Sequence, residues 1–461
     1  AVNEHILDLH IKHSIPIIMG CDSHYLFPSD AGERSDYIVS KGIEYPDEQG
    51  FVLDYPDGDE AYRRFANQGV LSHSDIIEAM ENTNVFLKVE DYDCACFTKD
   101  IKMPSLHPDW TQEQKDAAYD NLIWSSWSKE KSNVPQEKWP HYESEIQKEV
   151  DIVHQTFHAD YFLDDHAIVK KGKENGGVLT KTGRGSAVSF YTNKLLGLTD
   201  VDRIAAKVKM YPERFMSATR ILETGSIADI DLNVADRDPF LRAQKEIMGE
   251  ESSYEMIAYG TLKPKAAWKM YAKSQNVDFI VANEISDQIS KYENAVKHAS
   301  EDEKDDINVM DYIDPAYHEI FEQSRNYRGI VSHLTPHPCA TLLYQGNIRQ
   351  EIGLINIKGK ICCIMDGLWA EQYHFLKNDW LKATIVDLID RVYKRIGIPQ
   401  HSEQELLALC PPDSPVWDMI YGRSCTLGIN QVEQIGTSSR VAKYKPHNIS
   451  ELCAFVAAIR P

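Results

Sequence analysis

Apolar positions recur at helical spacing over residues 3–12, and the short apolar run Ile15-Pro16-Ile17-Ile18-Met19 that follows predicts a buried strand. Helical periodicity returns at about 74–83, 112–131, 141–157 and 161–174. A further helix is expected to open at Ser186 and run to about Leu196. The segment Ile227 to Val234, bounded by Gly225, predicts a strand. Helices are expected at about 261–275 and 279–297, and apolar runs at 339–344 and 361–365 predict strands. Leu381, Ile385, Leu388, Ile389, Val392 and Ile396 form one helical stripe. Pro411-Pro412 and the Ser and Asp beside them mark a loop. The pattern is mixed α and β, without an internal repeat or low-complexity tract, and no apolar run approaches membrane-spanning length.

A chain of 461 residues is expected to form about three domains. With 43% hydrophobic residues it can bury a large core, which excludes a disordered or fibrous chain. The 49 basic and 71 acidic residues leave a net charge of −22, which argues against a simple basic nucleic-acid binder but suits carboxylates that hold metal. That charge is uneven. Residues 40–60 and 301–314 each carry −6 and read as solvated loops or exposed helix faces. Three stretches run the other way: 166–186, 261–273 and 431–461 are locally basic. Lys265, Lys269 and Lys273 recur every four residues and share one helix face, which fits either a polyanion partner or an ordinary solvated face. The first residues lack a signal peptide and an initiator Met, so a processed chain or a fragment is expected. The nine cysteines include a lone C-x-C at Cys94 and Cys96 and the adjacent Cys362 and Cys363, and they complete no zinc set. Reduced thiols in a cytoplasmic protein are the expectation.

Three local features could carry chemistry. In Ala228-Asp229-Ile230-Asp231-Leu232-Asn233, strand alternation puts Asp229 and Asp231 on one face. Two carboxylates about 7 Å apart repel unless a cation neutralises them, and Mg²⁺ bridging to phosphate suits such a pair. A plain exposed strand edge is the alternative. In Thr182-Gly183-Arg184-Gly185-Ser186, the glycines let backbone N–H groups approach an anion and Arg184 can grip phosphate. The alternative is a turn capped by Ser186, and neither a P-loop nor a dinucleotide fingerprint is present. In Phe375-Leu376-Lys377-Asn378-Asp379-Trp380 a strand is expected to run into a helix, with Asp379 either a metal ligand beside Lys377 or a helix cap.

Taken in order, these features resemble the C-family bacterial replicative DNA polymerases, the DNA polymerase III alpha subunits. The stretch from Gln147 to Leu163 is similar to the family's helix ending in D-Y-F-L, and Gly183–Ser186 matches its G-R-G-S. Leu198-Thr199-Asp200-Val201-Asp202 and Pro212-Glu213-Arg214-Phe215-Met216 resemble its T-D-x-D and E-R-F-L. Asp229 and Asp231 stand where its paired aspartates stand, Tyr259-Gly260-Thr261 with Lys265 resembles F-G-T-x-x-x-K, and Lys377-Asn378-Asp379 resembles K-F-D. Thr426 to Glu433 resembles T-G-V-F-Q-x-E, and Lys445-Pro446 and the final Ala457 to Pro461 resemble the start of the fingers. Gly20 to Leu26 looks like the last metal motif of the polymerase-and-histidinol-phosphatase domain. The chain departs from the pattern at Ala228, where the family has Pro, at Lys181-Thr182, where it has Gly-Pro, and at Asn378, where it has Phe.

The resemblance implies an α/β (α+β) fold: a nucleotidyltransferase-type palm with an inserted helical thumb. The implied boundaries are 1–90 for the C-terminal part of the phosphatase-like domain, 91–262 and 336–385 for the palm, 263–335 for the thumb and 386–461 for the beginning of the fingers. It implies template-directed DNA synthesis, with Asp229, Asp231 and Asp379 binding two Mg²⁺. Gly183, Arg184, Gly185, Ser186, Arg214 and Lys377 would meet the incoming deoxynucleoside triphosphate, and Lys265, Lys269 and Lys273 the primer-template DNA. Asp22 and His24 would be an incomplete, non-catalytic metal pair. A sliding clamp and a proofreading exonuclease would join through regions outside this chain. Three rivals remain: a metal-dependent phosphoesterase built on Asp22 and His24, a DNA-binding fragment inactive without its fingers, and a template-independent nucleotidyltransferase.

Overall fold

The computed structural model describes residues 2–88 and 97–459, apart from Gln49, Lys207, Ser226, Ile227 and Asp229. Asp229, Ile227, Cys94, Cys96, Arg460 and Pro461 therefore lie outside the described residues. The chain divides into two compact units, one of residues 1–94 and 259–334, the other of 95–258 and 335–461. No helix among the described residues is long and apolar enough to cross a membrane.

The first unit is helical. Its leading segment holds helices α1 (Val2–His13), α2 (Ala31–Lys41), α3 (Gly58–Asn67) and α4 (His73–Glu81). The expected strand at 15–19 is not formed. Asn82 donates to the Ile17 carbonyl at 2.9 Å and the Met19 N–H donates to Ala79 O at 2.9 Å, so the end of α4 takes the backbone groups that a strand partner would need. The later part of the unit begins with Pro264–Ser274, because Thr261 still belongs to a strand and Pro264 supplies the first turn. This helix packs on Phe279–His298 through Trp268, Ala272, Ala282, Ile285 and Ile289. It also packs on α2, where Tyr327 donates to Asp36 at 3.0 Å and Lys273 donates to the Ser40 carbonyl.

The second unit is mixed α and β. Helices α5 (Gln112–Glu130), α6 (Trp139–Gln155) and α7 (Ala159–Glu174) precede the sheet. Thr111 and Gln114 form a capping box at the start of α5, which buries Tyr119, Ile123 and Trp127 at four-residue spacing. The helix expected from Ser186 to Leu196 is broken at Phe190, which is extended. A short turn at Ala187–Ser189 comes first, and the Tyr191–Leu195 helix then starts on the buried Glu149 carboxylate. Glu149 accepts the Tyr191 and Thr192 N–H groups at 2.9 and 2.7 Å and pairs with buried Arg203. A buried carboxylate at a helix start satisfies donors that a continuous helix would have used internally.

Among the described residues, six strands form one sheet: β1 (Asp231–Val234), β2 (Ser253–Thr261), β3 (Val331–Leu343), β4 (Leu354–Ile357), β5 (Lys360–Cys363) and β6 (Leu376–Lys382), in the order β1-β6-β3-β2-β5-β4. β1 runs parallel to β6, and β3 runs antiparallel to it. β3 is longer than the 339–344 run indicated, and Leu381 belongs to β6 rather than to the following helix. That helix, Thr384–Ile396, keeps the rest of the stripe, and none of it is fully buried. The core of this unit gathers the apolar faces of α5, α6 and α7 against Leu232, Val234, Leu376 and Trp380.

Candidate active site

Alternation along β1 and β6 sets two faces. Leu232 and Val234 are buried behind the sheet with Leu376, Asn378 and Trp380, while Asp231, Lys377 and Asp379 take the other, partly open face. Asp231 pairs with Asp379 in the parallel register, so their side chains leave the same face of adjacent strands about 4.8 Å apart. Asp379 is mid-strand and caps no helix, because the cap position of the following helix is Ala383. Lys377 donates to Asp379 Oδ2 at 3.0 Å.

The glycine loop folds onto Asp231. Gly183 and Gly185 have φ of +66° and +64°, which glycine adopts without steric cost. A Cβ on Gly185 would stand 2.8 Å from Asp231 Oδ2, and Arg184 Nε is 4.0 Å from the same oxygen. Ser186 makes no side-chain cap bond, so the loop is not the simple Ser-capped turn. The turn Pro212–Arg214 packs beside Ala187–Ser189 and leaves Arg214 exposed.

The structure thus brings together Asp231, Asp379, Lys377 and Gly183–Ser186, with Arg214 on the neighbouring turn. Lys265, Lys269 and Lys273 belong to the helical unit, where Lys265 lies 3.4 Å from Glu293, Lys273 is tied to Ser40 and Lys269 is exposed. Asp22 and His24 belong to that unit too. They face each other on its surface, with His24 Nε2 3.2 Å from Asp22 Oδ1.

Sequence reasoning missed His337 and Cys339. β3 carries them beside Asp379, and the donor atoms of the three lie within 4.8 Å of one another. The His337 ring accepts the Ala340 N–H at Nδ1, 2.8 Å away, and Arg237 donates to the Pro338 carbonyl of the same strand at 2.8 Å. Burial pushes His337 down, and burial with the nearby Asp379 pushes the Cys339 thiol up to about 11. Both groups are therefore neutral at pH 7. The His-x-Cys spacing was the available signal, but only the β3–β6 register places it at Asp379.

A second group lies behind the sheet on α7. Burial pushes Asp164 up to about 8 and Asp165 up to about 7, and each has one oxygen without a hydrogen-bond partner. Both folded values exceed the unfolded value near 3.9, so the folded chain binds these protons more tightly. Their stabilising contribution is complete below the unfolded value and is lost as pH rises through about 7 and 8. Thermal melts should therefore show stability falling between pH 5.5 and 8.5 by on the order of 5 kcal/mol, and the Asp164→Asn, Asp165→Asn double variant should flatten that slope. Equal slopes in both proteins would show that other groups are responsible.

Two facing carboxylates, a cationic loop and a lysine are an arrangement whose charges could hold a divalent cation and a polyphosphate. Asp231 and Asp379 fit Mg²⁺, which takes a few carboxylates and completes its shell with phosphate oxygens and water. The bacterial DNA polymerase III alpha NTPase domain family matches residues 120–382. A DNA polymerase III subunit alpha from Bacillus subtilis (strain 168) is 23% identical over 472 residues, covering 100% of this chain and 40% of the relative. One from Ureaplasma parvum serovar 3 is 26% identical over 324 residues, covering 69% of this chain and 32% of the relative. One from Mycobacterium tuberculosis (strain H37Rv) is 25% identical over 340 residues, covering 69% and 28%. At its fullest overlap the chain spans about 40% of the length of these curated relatives.

Proposed function

The chain belongs to the bacterial DNA polymerase III alpha family, and from that premise we propose that it carries the palm of a template-directed DNA polymerase. The observation that carries this reading is the Asp231–Asp379 register, with the Gly183–Ser186 loop folded against Asp231. In this reading Asp229, Asp231 and Asp379 would hold two Mg²⁺, which when bound would supply charge stabilisation and lower the pKa of the primer 3′-hydroxyl. Arg184 and the loop N–H groups orient the triphosphate, with Lys377 and Arg214 adding positive charge. In-line attack then extends the primer by one deoxynucleotide and releases pyrophosphate.

The domain reading puts the palm at 91–262 and 336–385, the thumb at 263–335, the start of the fingers at 386–461 and the phosphatase-like remnant at 1–90. The division of the chain near 258 and 334 supports the thumb limits to within a few residues. The exposed Lys269 and its neighbours Lys265 and Lys273 are the proposed contacts to the DNA backbone, sequence-blind and salt-dependent.

The deciding experiment is primer extension by the full-length protein with Mg²⁺, comparing wild type, Asp229→Asn and Asp22→Ala. The expected result is incorporation abolished in Asp229→Asn and retained in Asp22→Ala. A phosphatase or exonuclease activity lost in Asp22→Ala and kept in Asp229→Asn would instead establish the phosphoesterase reading. DNA retention in a gel shift with no incorporation by the wild type would establish a binding module.

A further inference from the structure

Helix α7 touches both carboxylate-bearing segments from behind the sheet. Tyr161 and Asp165 stand one turn apart on it and share a face. Tyr161 Oη accepts the Ile230 N–H at 3.1 Å, and Ile230 lies between Asp229 and Asp231 in the chain. Asp165 Oδ1 accepts from Asn378 Nδ2 at 2.8 Å, and Asn378 immediately precedes Asp379. Tyr161 is 0% exposed, Asp165 1%, Ile230 4% and Asn378 4%, so water cannot replace either bond. Burying a carboxyl opposite an amide is costly compared with an apolar pair of the same size. Packing alone does not account for it.

We propose that Tyr161 and Asp165 are positioning residues: a two-point clamp through which α7 sets the spacing and facing of the carboxylates on β1 and β6. The inference rests on the polymerase reading of those carboxylates. One point of the clamp holds the backbone between the first two aspartates. The other holds the residue before the third. β6 has a separate tether, because the Trp380 indole N–H donates to Gln244, whose amide is bonded to Thr341 of β3. Loss of the Asp165 bond therefore leaves β6 in the sheet and frees only its precise height. Oδ1 accepts whether the Asp165 carboxyl is protonated or ionised, so the clamp needs an acceptor at this position and not a charge.

The test uses steady-state primer extension by the full-length protein, with kcat, the KM for deoxynucleotide and the Mg²⁺ concentration at half-maximal rate measured for each variant. Tyr161→Phe removes one hydroxyl and keeps the core filled. Asp165→Ala removes the acceptor, and Asp165→Asn keeps it. Tyr161→Phe and Asp165→Ala are expected to lower kcat by about tenfold to a hundredfold, because small misplacements of catalytic groups have effects of that size. Their nucleotide KM should stay within about twofold, while the Mg²⁺ requirement rises several-fold, as expected when the ligands and not the nucleotide pocket are displaced. Asp165→Asn should stay within about threefold of wild type on all three readouts. A lowered melting temperature with unchanged kcat and Mg²⁺ requirement in Tyr161→Phe would overturn the clamp and leave a structural role. Full activity of Asp229→Asn would overturn the polymerase reading itself, whatever the clamp variants do.

Discussion

Asp379→Asn is expected to lower nucleotide incorporation by the full-length protein by about three orders of magnitude or more, with the fold retained. The substitution keeps the shape of a side chain that sits mid-strand on the partly open face of β6. It removes one of two facing carboxylates, and with it half of the described negative charge that would hold a divalent cation at that register. The stability terms are small by comparison. The Lys377 ion pair is weakened, and the repulsion between Asp379 and Asp231 disappears. The two changes oppose each other, so the melting temperature should move by only a few degrees. Primer extension in Mg²⁺, with circular dichroism melts as the control, checks both parts. Incorporation near the wild-type rate would remove β6 from the active site.

Gly185→Ala should be nearly as damaging, for a different reason. The added methyl would stand 2.8 Å from Asp231 Oδ2, closer than van der Waals contact allows. The backbone there has φ +64°, which costs an alanine roughly 1 kcal/mol. The cheapest relief is rotation of the Asp231 carboxylate or retreat of the loop. Either one separates the proposed metal ligand from the proposed phosphate cradle, and a displacement of about 1 Å is worth about a hundredfold in rate. Gly42→Ala is the matched control. Gly42 has φ +70° at the end of α2, and nothing lies within 4 Å of its missing Cβ. It should show the backbone cost in a melt and leave incorporation unchanged. Equal activity in the two variants would show that the contact between the loop and Asp231 does not matter for the reaction.

The helices were largely legible because burial of one face leaves a periodic mark. α5, α6 and α7 fall close to where the apolar spacing put them. The errors came where a tertiary group took over a local signal. The run Ile15 to Met19 has strand composition, yet its backbone groups are taken by Ala79 and Asn82. The 186–196 stretch has helical spacing, yet the buried Glu149 carboxylate restarts the helix at Tyr191. Leu381 fits the helical stripe by period, but its backbone pairs with Asn233 in the sheet. In each case the competing partner lies more than thirty residues away in the chain.

For the candidate site, the sequence by itself determined the chemical inventory: Asp231 and Asp379, the Gly-Arg-Gly-Ser loop, Lys377, and the order in which they occur. Residue type and alternation are local properties, so they can be read along the chain. The tertiary structure decided which of these meet. Parallel pairing of β1 with β6 set Asp231 opposite Asp379 across more than a hundred residues, and the loop closed on the same carboxylate. It also decided what stands around them. His337 and Cys339 arrive through β3, and the Asp165–Asn378 pair forms across the back of the sheet. Hydrogen bonds between distant strands and helices leave no periodic trace in sequence, because each partner looks locally like an ordinary polar residue.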